Sequence, residues 1–264
     1  MTTLAIAPST LWVPPPASLS LSSPDVHLWC AALDRAGEDI LQLYQTLSDD
    51  ERDRANRFHF ETDQTRFIVA RGLLRNILSR YLNLDAKTLQ FCYESNGKPA
   101  LIAEQNENRL QFNLSHSQGW ALYAIAQDRA IGVDIEYVRQ NFAWHEMAAR
   151  CLTPSEYAVL QTLPSDVQCR AFFTAWTRKE AYLKAKGLGL SMPLDHVEVT
   201  LTPEETAVLL NVHHHPQEPT RWLLQDLDLA AGYVGAVAVV GDCLRQLNYC
   251  FNGNSRSERL CQRY

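Results

Sequence analysis

The chain has 264 residues, 46% of them hydrophobic and 20% charged, with a formal net charge of −6. That length fits one large domain or two small ones with an ample core. The acidic balance excludes a broad electrostatic grip on nucleic acid, which needs a basic face, but allows a local basic pocket for a small polyanion.

Residues 1–24, rich in proline and serine, read as a loose leader, and Met1 to Pro16 lacks the basic n-region of a signal peptide. Val26 to Leu33 reads as a first strand. Ser48-Asp49-Asp50-Glu51 has the pattern of a capping box, with an acid three residues after the serine. A basic segment with Arg52, Arg54 and Arg57 follows. Arg66 to Leu82 places Phe67, Ala70, Leu74, Ile77, Leu78 and Tyr81 at helical spacing. Next come a strand over Leu89–Glu94, a turn at Asn96-Gly97-Lys98-Pro99, and strands over Gln111–Leu114 and Trp120–Ala126. A strand over Gly132–Val138 opens a second half. Helical stretches at Trp144–Ala149 and Pro154–Leu160 precede a strong helix from about Val167 to Lys186, which Gly187 and Gly189 end. Strands near Val197–Leu201, Trp222–Leu227 and Tyr233–Val240 complete this half, and the polar residues from 241 onward give little signal. The apolar run Leu229 to Val240 is too short, and too rich in glycine and alanine, to span a bilayer.

Phe67–Leu84 and Phe173–Leu190 are helical runs of equal length, each starting on phenylalanine and closing on two leucines one residue apart. They suggest duplication: an N-terminal half over 1–128, a C-terminal half over 129–242, and a tail over 243–264. An internal duplication of this kind favours a monomer. The cysteine count is odd, at seven, and no C-x-x-C occurs. Neither a zinc site nor a disulfide framework is indicated, and a reducing cytosol is the plain reading.

Four clusters carry possible chemistry. In Gly132-Val133-Asp134-Ile135-Glu136, strand alternation puts Asp134 and Glu136 on one side and Val133 and Ile135 on the other. Two adjacent acids on an apolar strand need a cation or solvent, and oxygen ligands of this kind suit magnesium. A solvated edge strand is the competing explanation. In the helix of the second half, Trp176, Glu180 and Lys184 stand four apart on one face. Glu180 would complete a metal site there, with Lys184 one turn away facing a phosphate. An exposed Glu180–Lys184 ion pair is the alternative. Asn113-Leu114-Ser115-His116-Ser117 ends a strand on hydroxyl and imidazole groups suited to a phosphate. Ser115 and His116 are not a nucleophile–base couple, because neighbours on a strand point apart. Gly97-Lys98-Pro99 is a turn with a lysine at its tip and lacks the remainder of a P-loop. His213-His214-His215 has no spaced partner and is assigned no role.

In this order, N-G-K-P, F-N-L-S-H-S, G-V-D-I-E and F-T-A-W-T-R-K-E-A-Y-L-K with G-L-G-L resemble the Sfp-type 4'-phosphopantetheinyl transferases, over roughly residues 44 to 200. The W-x-x-K-E-A form resembles the branch serving polyketide, peptide and specialised lipid pathways. The resemblance implies an α+β fold of two similar halves in pseudo-twofold arrangement, with coenzyme A and magnesium in the cleft between them. It implies metal ligation by Asp134, Glu136 and Glu180, and a pyrophosphate contact from Lys184. It assigns Lys98, Ser115 and His116, within the Gly97 and Asn113 motifs, to the nucleotide end of coenzyme A, and Arg54 to the 3'-phosphate. Glu51 departs from the pattern: some members have a second lysine there, which leaves Arg52 or Arg57 to supply that part of the grip.

The implied reaction moves phosphopantetheine from coenzyme A to a serine of an apo acyl or peptidyl carrier protein, with Glu180, then Glu136, as candidate base. Fatty-acid carriers are equally compatible with these motifs. Nucleic acid and membrane are not expected partners. The alternatives are a magnesium-dependent phosphohydrolase acting on a nucleotide, and a non-catalytic module that binds coenzyme A or a carrier.

Overall fold

Strand periodicity here sorts residues between two cores at once. A computed structural model describes residues 12–202 and 204–251. In chain order its elements are β1 (Asp25–Ala32), α1 (Gly37–Thr46), α2 (Asp49–Ala55), α3 (Glu61–Leu82), β2 (Phe91–Tyr93), β3 (Pro99–Leu101), β4 (Leu110–Ser117), β5 (Trp120–Gln127) and β6 (Ile131–Tyr137). There follow α4 (Trp144–Cys151), α5 (Pro154–Thr162), α6 (Ser165–Lys186), β7 (Val197–Val199), β8 (Leu209–Val212), β9 (Trp222–Asp226), β10 (Tyr233–Val240) and β11 (Arg245–Cys250). One sheet has the order β11-β1-β5-β4 and a second β6-β10-β9.

Each sheet carries one long helix. On β1 and β5, Trp29, Ala31, Ala121, Tyr123 and Ile125 pack under α3, against Val69, Leu73, Leu74 and Ile77. The alternate residues Val26, Leu28, Leu122 and Ala124 face the other way and meet Ile131, Val133, Ile135, Val237 and Val239 of the second sheet. On the far side of that sheet, Ala236 and Ala238 lie under α6, against Phe172, Ala181 and Ala185. The order of layers is therefore helix, sheet, sheet, helix. Central strands buried on both faces read as continuous apolar runs, and each fully buried aliphatic side chain contributes about 1.5–3 kcal/mol. The fold is α+β, and the division expected from the sequence falls in the turn between β5 and β6. Both α3 and α6 are 22 residues long, and both end on a left-handed residue, Asn83 at φ 53° and Gly187 at φ 67°. No helix among the described residues is long and apolar enough to cross a membrane.

Two expectations need correction. Arg245–Cys250, read as part of a polar tail, forms β11 and pairs in parallel with β1, from Asp25↔Arg245 to Cys30↔Cys250. The C-terminal stretch thus returns to the first half, because Tyr249 and Cys250 complete the apolar cores on both faces of that sheet. The leader is also anchored from Trp12 onward. Trp12 is buried, its Nε1 donates to Asp228 O at 2.8 Å, and Val13 bridges Tyr249. Residues 1–11 and 252–264, including Cys261, lie outside the described residues.

Candidate active site at the seam between the halves

No backbone ladder joins β4 to β6, although they lie side by side at the seam of the two halves. Side chains make the connection. Asn113, Ser115 and Ser117 alternate along β4 and so share one face. Asn113 Oδ1 accepts from Val133 N at 2.9 Å, Ser115 Oγ donates to Asp134 Oδ1 at 2.8 Å, and Ser117 Oγ donates to Glu136 Oε2 at 3.0 Å. Ser117 Oγ also accepts from Tyr137 N at 3.2 Å.

Helix α6 supplies the rest of the site, and Gly132 sets its distance. On β6, Gly132, Asp134 and Glu136 face α6. A Cβ on Gly132 would stand 2.1 Å from Ala181 O and 2.4 Å from Ala185 N, so the helix backbone lies directly on the strand. Glu180 and Lys184 each precede one of these contact residues. They are thereby carried over Asp134 and Glu136. The result is a cleft of about 320 Å³ lined by Leu114, Ser115, His116, Asp134, Glu136, Trp176, Glu180 and Lys184. Trp176, Glu180 and Lys184 share the cleft face, as their spacing requires.

Both plainer explanations of the acids fail. Asp134 is only 3% exposed, so β6 does not present a solvated acidic face. Lys184 Nζ pairs with Asp134 Oδ1 at 2.5 Å and donates to Ser115 Oγ at 2.9 Å, rather than pairing with Glu180. Burial, and then the charge of Asp134, push the Glu136 carboxyl above its ordinary range, against the opposing Ser117 hydrogen bond, Arg139 and Lys184. Glu180 is pushed up by burial first and by Asp134 next, with Lys184 opposing. His116 opens to solvent at the cleft mouth while protein crowds its other side. That desolvation, then Lys184 and Arg66, lower its pKa.

The donor set fits magnesium. Among the described residues, Asp134 Oδ2 is buried without a hydrogen-bond partner, and two neighbouring carboxyl groups resist ionising beside it. An added cation would remove both penalties. Among the described residues, no three acidic, histidine or cysteine side chains stand close enough together as they are to hold a metal ion, and Lys184 takes Asp134 Oδ1.

The remaining sequence candidates lie elsewhere. Lys98, expected at the nucleotide, does not line the cleft. Its Nζ donates to Ile131 O at 3.3 Å and Ala185 O at 3.2 Å, tying the start of β6 to the end of α6, and burial lowers its pKa. Gly97 serves the preceding turn at φ 80°, and Asn113 is a buried seam residue. Arg54 is exposed on α2, with its guanidinium 5.3 Å from the centre of the Phe67 ring. Glu51 is buried and ion-paired with Arg71 and, at 2.6 Å, with Arg75, while it caps α2 through Ser48 N. Arg52 reaches Asp49, and Arg57 reaches Asp53 O. His213, His214 and His215 do not line the cleft. The residue missed in the sequence is Ser117. Its signal was the N-x-S-x-S alternation, which places three polar groups on one face of a half-buried strand.

Comparison with known proteins agrees with this architecture. Residues 34–128 match the family described as 4'-phosphopantetheinyl transferase, N-terminal, and residues 130–238 match the 4'-phosphopantetheinyl transferase superfamily. The two matched stretches meet where β5 gives way to β6. The chain is 44% identical over 230 residues to 4'-phosphopantetheinyl transferase HetI of Nostoc sp., covering 87% of this chain and 94% of that protein. It is 31% identical over 180 residues to 4'-phosphopantetheinyl transferase Sfp of Bacillus subtilis, covering 68% and 78% respectively. With both halves matched, and a relative so similar over nearly its whole length, the chain belongs to the 4'-phosphopantetheinyl transferase family.

Proposed function

We propose that the seam cleft is where this enzyme transfers the 4'-phosphopantetheine arm of coenzyme A to a serine of an apo acyl or peptidyl carrier protein, with Asp134, Glu136 and Glu180 holding magnesium. The observation that carries this reading is the convergence of three carboxylates and Lys184 on one cleft, with the buried Asp134 Oδ2 unpartnered.

In the reaction the carrier serine oxygen bonds to the phosphorus next to pantetheine. The bond from that phosphorus to the bridging oxygen breaks, and adenosine 3',5'-bisphosphate leaves. Bound magnesium supplies Lewis-acid polarisation of the pyrophosphate and neutralises charge on the leaving group. Lys184, at the cleft beside Asp134, adds a cation where negative charge develops on the phosphates. Of the three carboxylates, Glu180 receives no hydrogen bond among the described residues and is the first choice to take the serine proton, with Glu136 the second. His116 at the cleft mouth, and Arg54 on α2, are assigned to the 3'-phosphate. The nucleophile belongs to the carrier, so this chain needs no serine–histidine pair of its own. The enzyme acts as a monomer in the cytoplasm on this reading.

Intact-mass measurement of an apo carrier with coenzyme A and magnesium tests the proposal. A gain of one phosphopantetheine is expected with the wild-type enzyme, and none with Asp134→Asn folded to the same melting temperature. Full transfer by that variant would refute the assignment of the site.

A further inference from the structure

We propose that Ser115 and Ser117 are positioning residues that leave each strand carboxylate a single oxygen for the metal, and so select magnesium over calcium. The inference rests on the magnesium reading of the cleft. Ser115 Oγ donates to Asp134 Oδ1 and Ser117 Oγ donates to Glu136 Oε2, at 2.8 and 3.0 Å. The spacing is two residues on each strand, so one register satisfies both bonds. Asn113, one step earlier on the same face, holds that register by accepting from Val133 N. Among the described residues, Asp134 Oδ2 is buried and unpartnered. Among the described residues Glu136 receives a side-chain hydrogen bond at Oε2 and none at Oε1.

A carboxylate with one oxygen hydrogen-bonded to a hydroxyl is held in an orientation that favours ligation through the other. Magnesium is small, takes near-octahedral geometry and accepts such single-oxygen ligands. Calcium takes six to eight oxygens, often with both oxygens of one carboxylate. The serines belong to the first half and the carboxylates to the second, so the selection is made by the seam itself. Ser117 is not among the residues that line the cleft. It acts through Glu136.

The test uses the full chain with coenzyme A and no carrier, so that nothing turns over. Magnesium and calcium are each titrated by calorimetry into wild type, Ser117→Ala and Ser117→Thr, with melting temperatures recorded for each protein. Ser117→Ala should weaken magnesium by about 10–100-fold, the usual effect of losing a group that orients a ligand. Calcium should weaken by less, so the preference for magnesium narrows. Ser117→Thr, which keeps the hydroxyl, should restore both values. An unchanged magnesium-to-calcium ratio in Ser117→Ala, including an equal loss of both ions with a lowered melting temperature, overturns the inference. A wild-type protein that binds no magnesium overturns it together with the reading beneath it.

Discussion

Gly132→Ala tests how the cleft is built without touching any group proposed to do chemistry. The new methyl would stand 2.1 Å from Ala181 O, and real contacts of this kind essentially never fall below 3.0 Å. Helix α6 must therefore retreat by about 0.9 Å at this point, from 2.1 to 3.0 Å, or β6 must bend away by as much. Overpacking of this kind costs about 1–3 kcal/mol. For a chain of this size that lowers the melting temperature by about 2–12 °C. The same displacement moves Glu180 and Lys184, which flank the contact, relative to Asp134 and Glu136 on the strand. A misplacement of about 1 Å can cost about 100-fold in rate. Transfer to an apo carrier, followed by intact mass at a temperature where the variant is fully folded, should thus fall by about 100-fold. Wild-type rate and melting temperature in Gly132→Ala would show that close approach at this residue does not set the site.

Two further predictions concern the first half. Glu51→Ala leaves the buried cations Arg71 and Arg75 without their shared carboxylate, which should destabilise the protein by about 3–5 kcal/mol in urea unfolding. Glu51→Lys, the residue type some family members carry there, should be worse, and a stable lysine variant would contradict the buried network. His27 is fully buried, and desolvation first, with Arg245 adding, pushes its pKa from 6.5 down to about 4. The folded state resists its protonation while the unfolded chain accepts it. His27 therefore adds nothing to the pH dependence above 6.5 and costs stability as pH falls from 6.5 to about 4, about 3 kcal/mol in all. His27→Phe should flatten unfolding free energy over that interval, with Trp29 Nε1 still bonded to the Tyr81 hydroxyl. An unchanged slope would assign the acid sensitivity to another group.

The elements legible in the sequence were those whose signal is local. The period of α3 and α6, the apolar runs of β5 and β10, the alternation of β6, and the capping box at Ser48 each depend on residues a few positions apart. Helix α1 was missed because it buries only Leu43 fully and leaves Leu41 at 64% exposure, so its pattern is faint. Strand β11 was missed because polar Arg245, Gln246 and Asn248 dilute its apolar residues, and its partner β1 lies over 200 positions away. Glu51 reads as one more acid in a first helical turn. Only the packing of α3 shows that Arg71 and Arg75 reach it and bury it.

By itself the sequence determined which residues share a face: Asp134 with Glu136, Trp176 with Glu180 and Lys184, and Asn113 with Ser115 and Ser117. Strand and helix geometry make that a matter of counting. Which face meets which was decided only by tertiary structure. Gly132 lets α6 lie on β6, so the helix acid joins the strand acids, and Lys184 chooses Asp134 rather than the glutamate one turn away. Lys98 is drawn from a turn tip into the carbonyls of Ile131 and Ala185. Those partnerships form between segments distant in the chain, where the cost of leaving a buried charge or carbonyl unpaired selects the partner, and no local spacing records that cost.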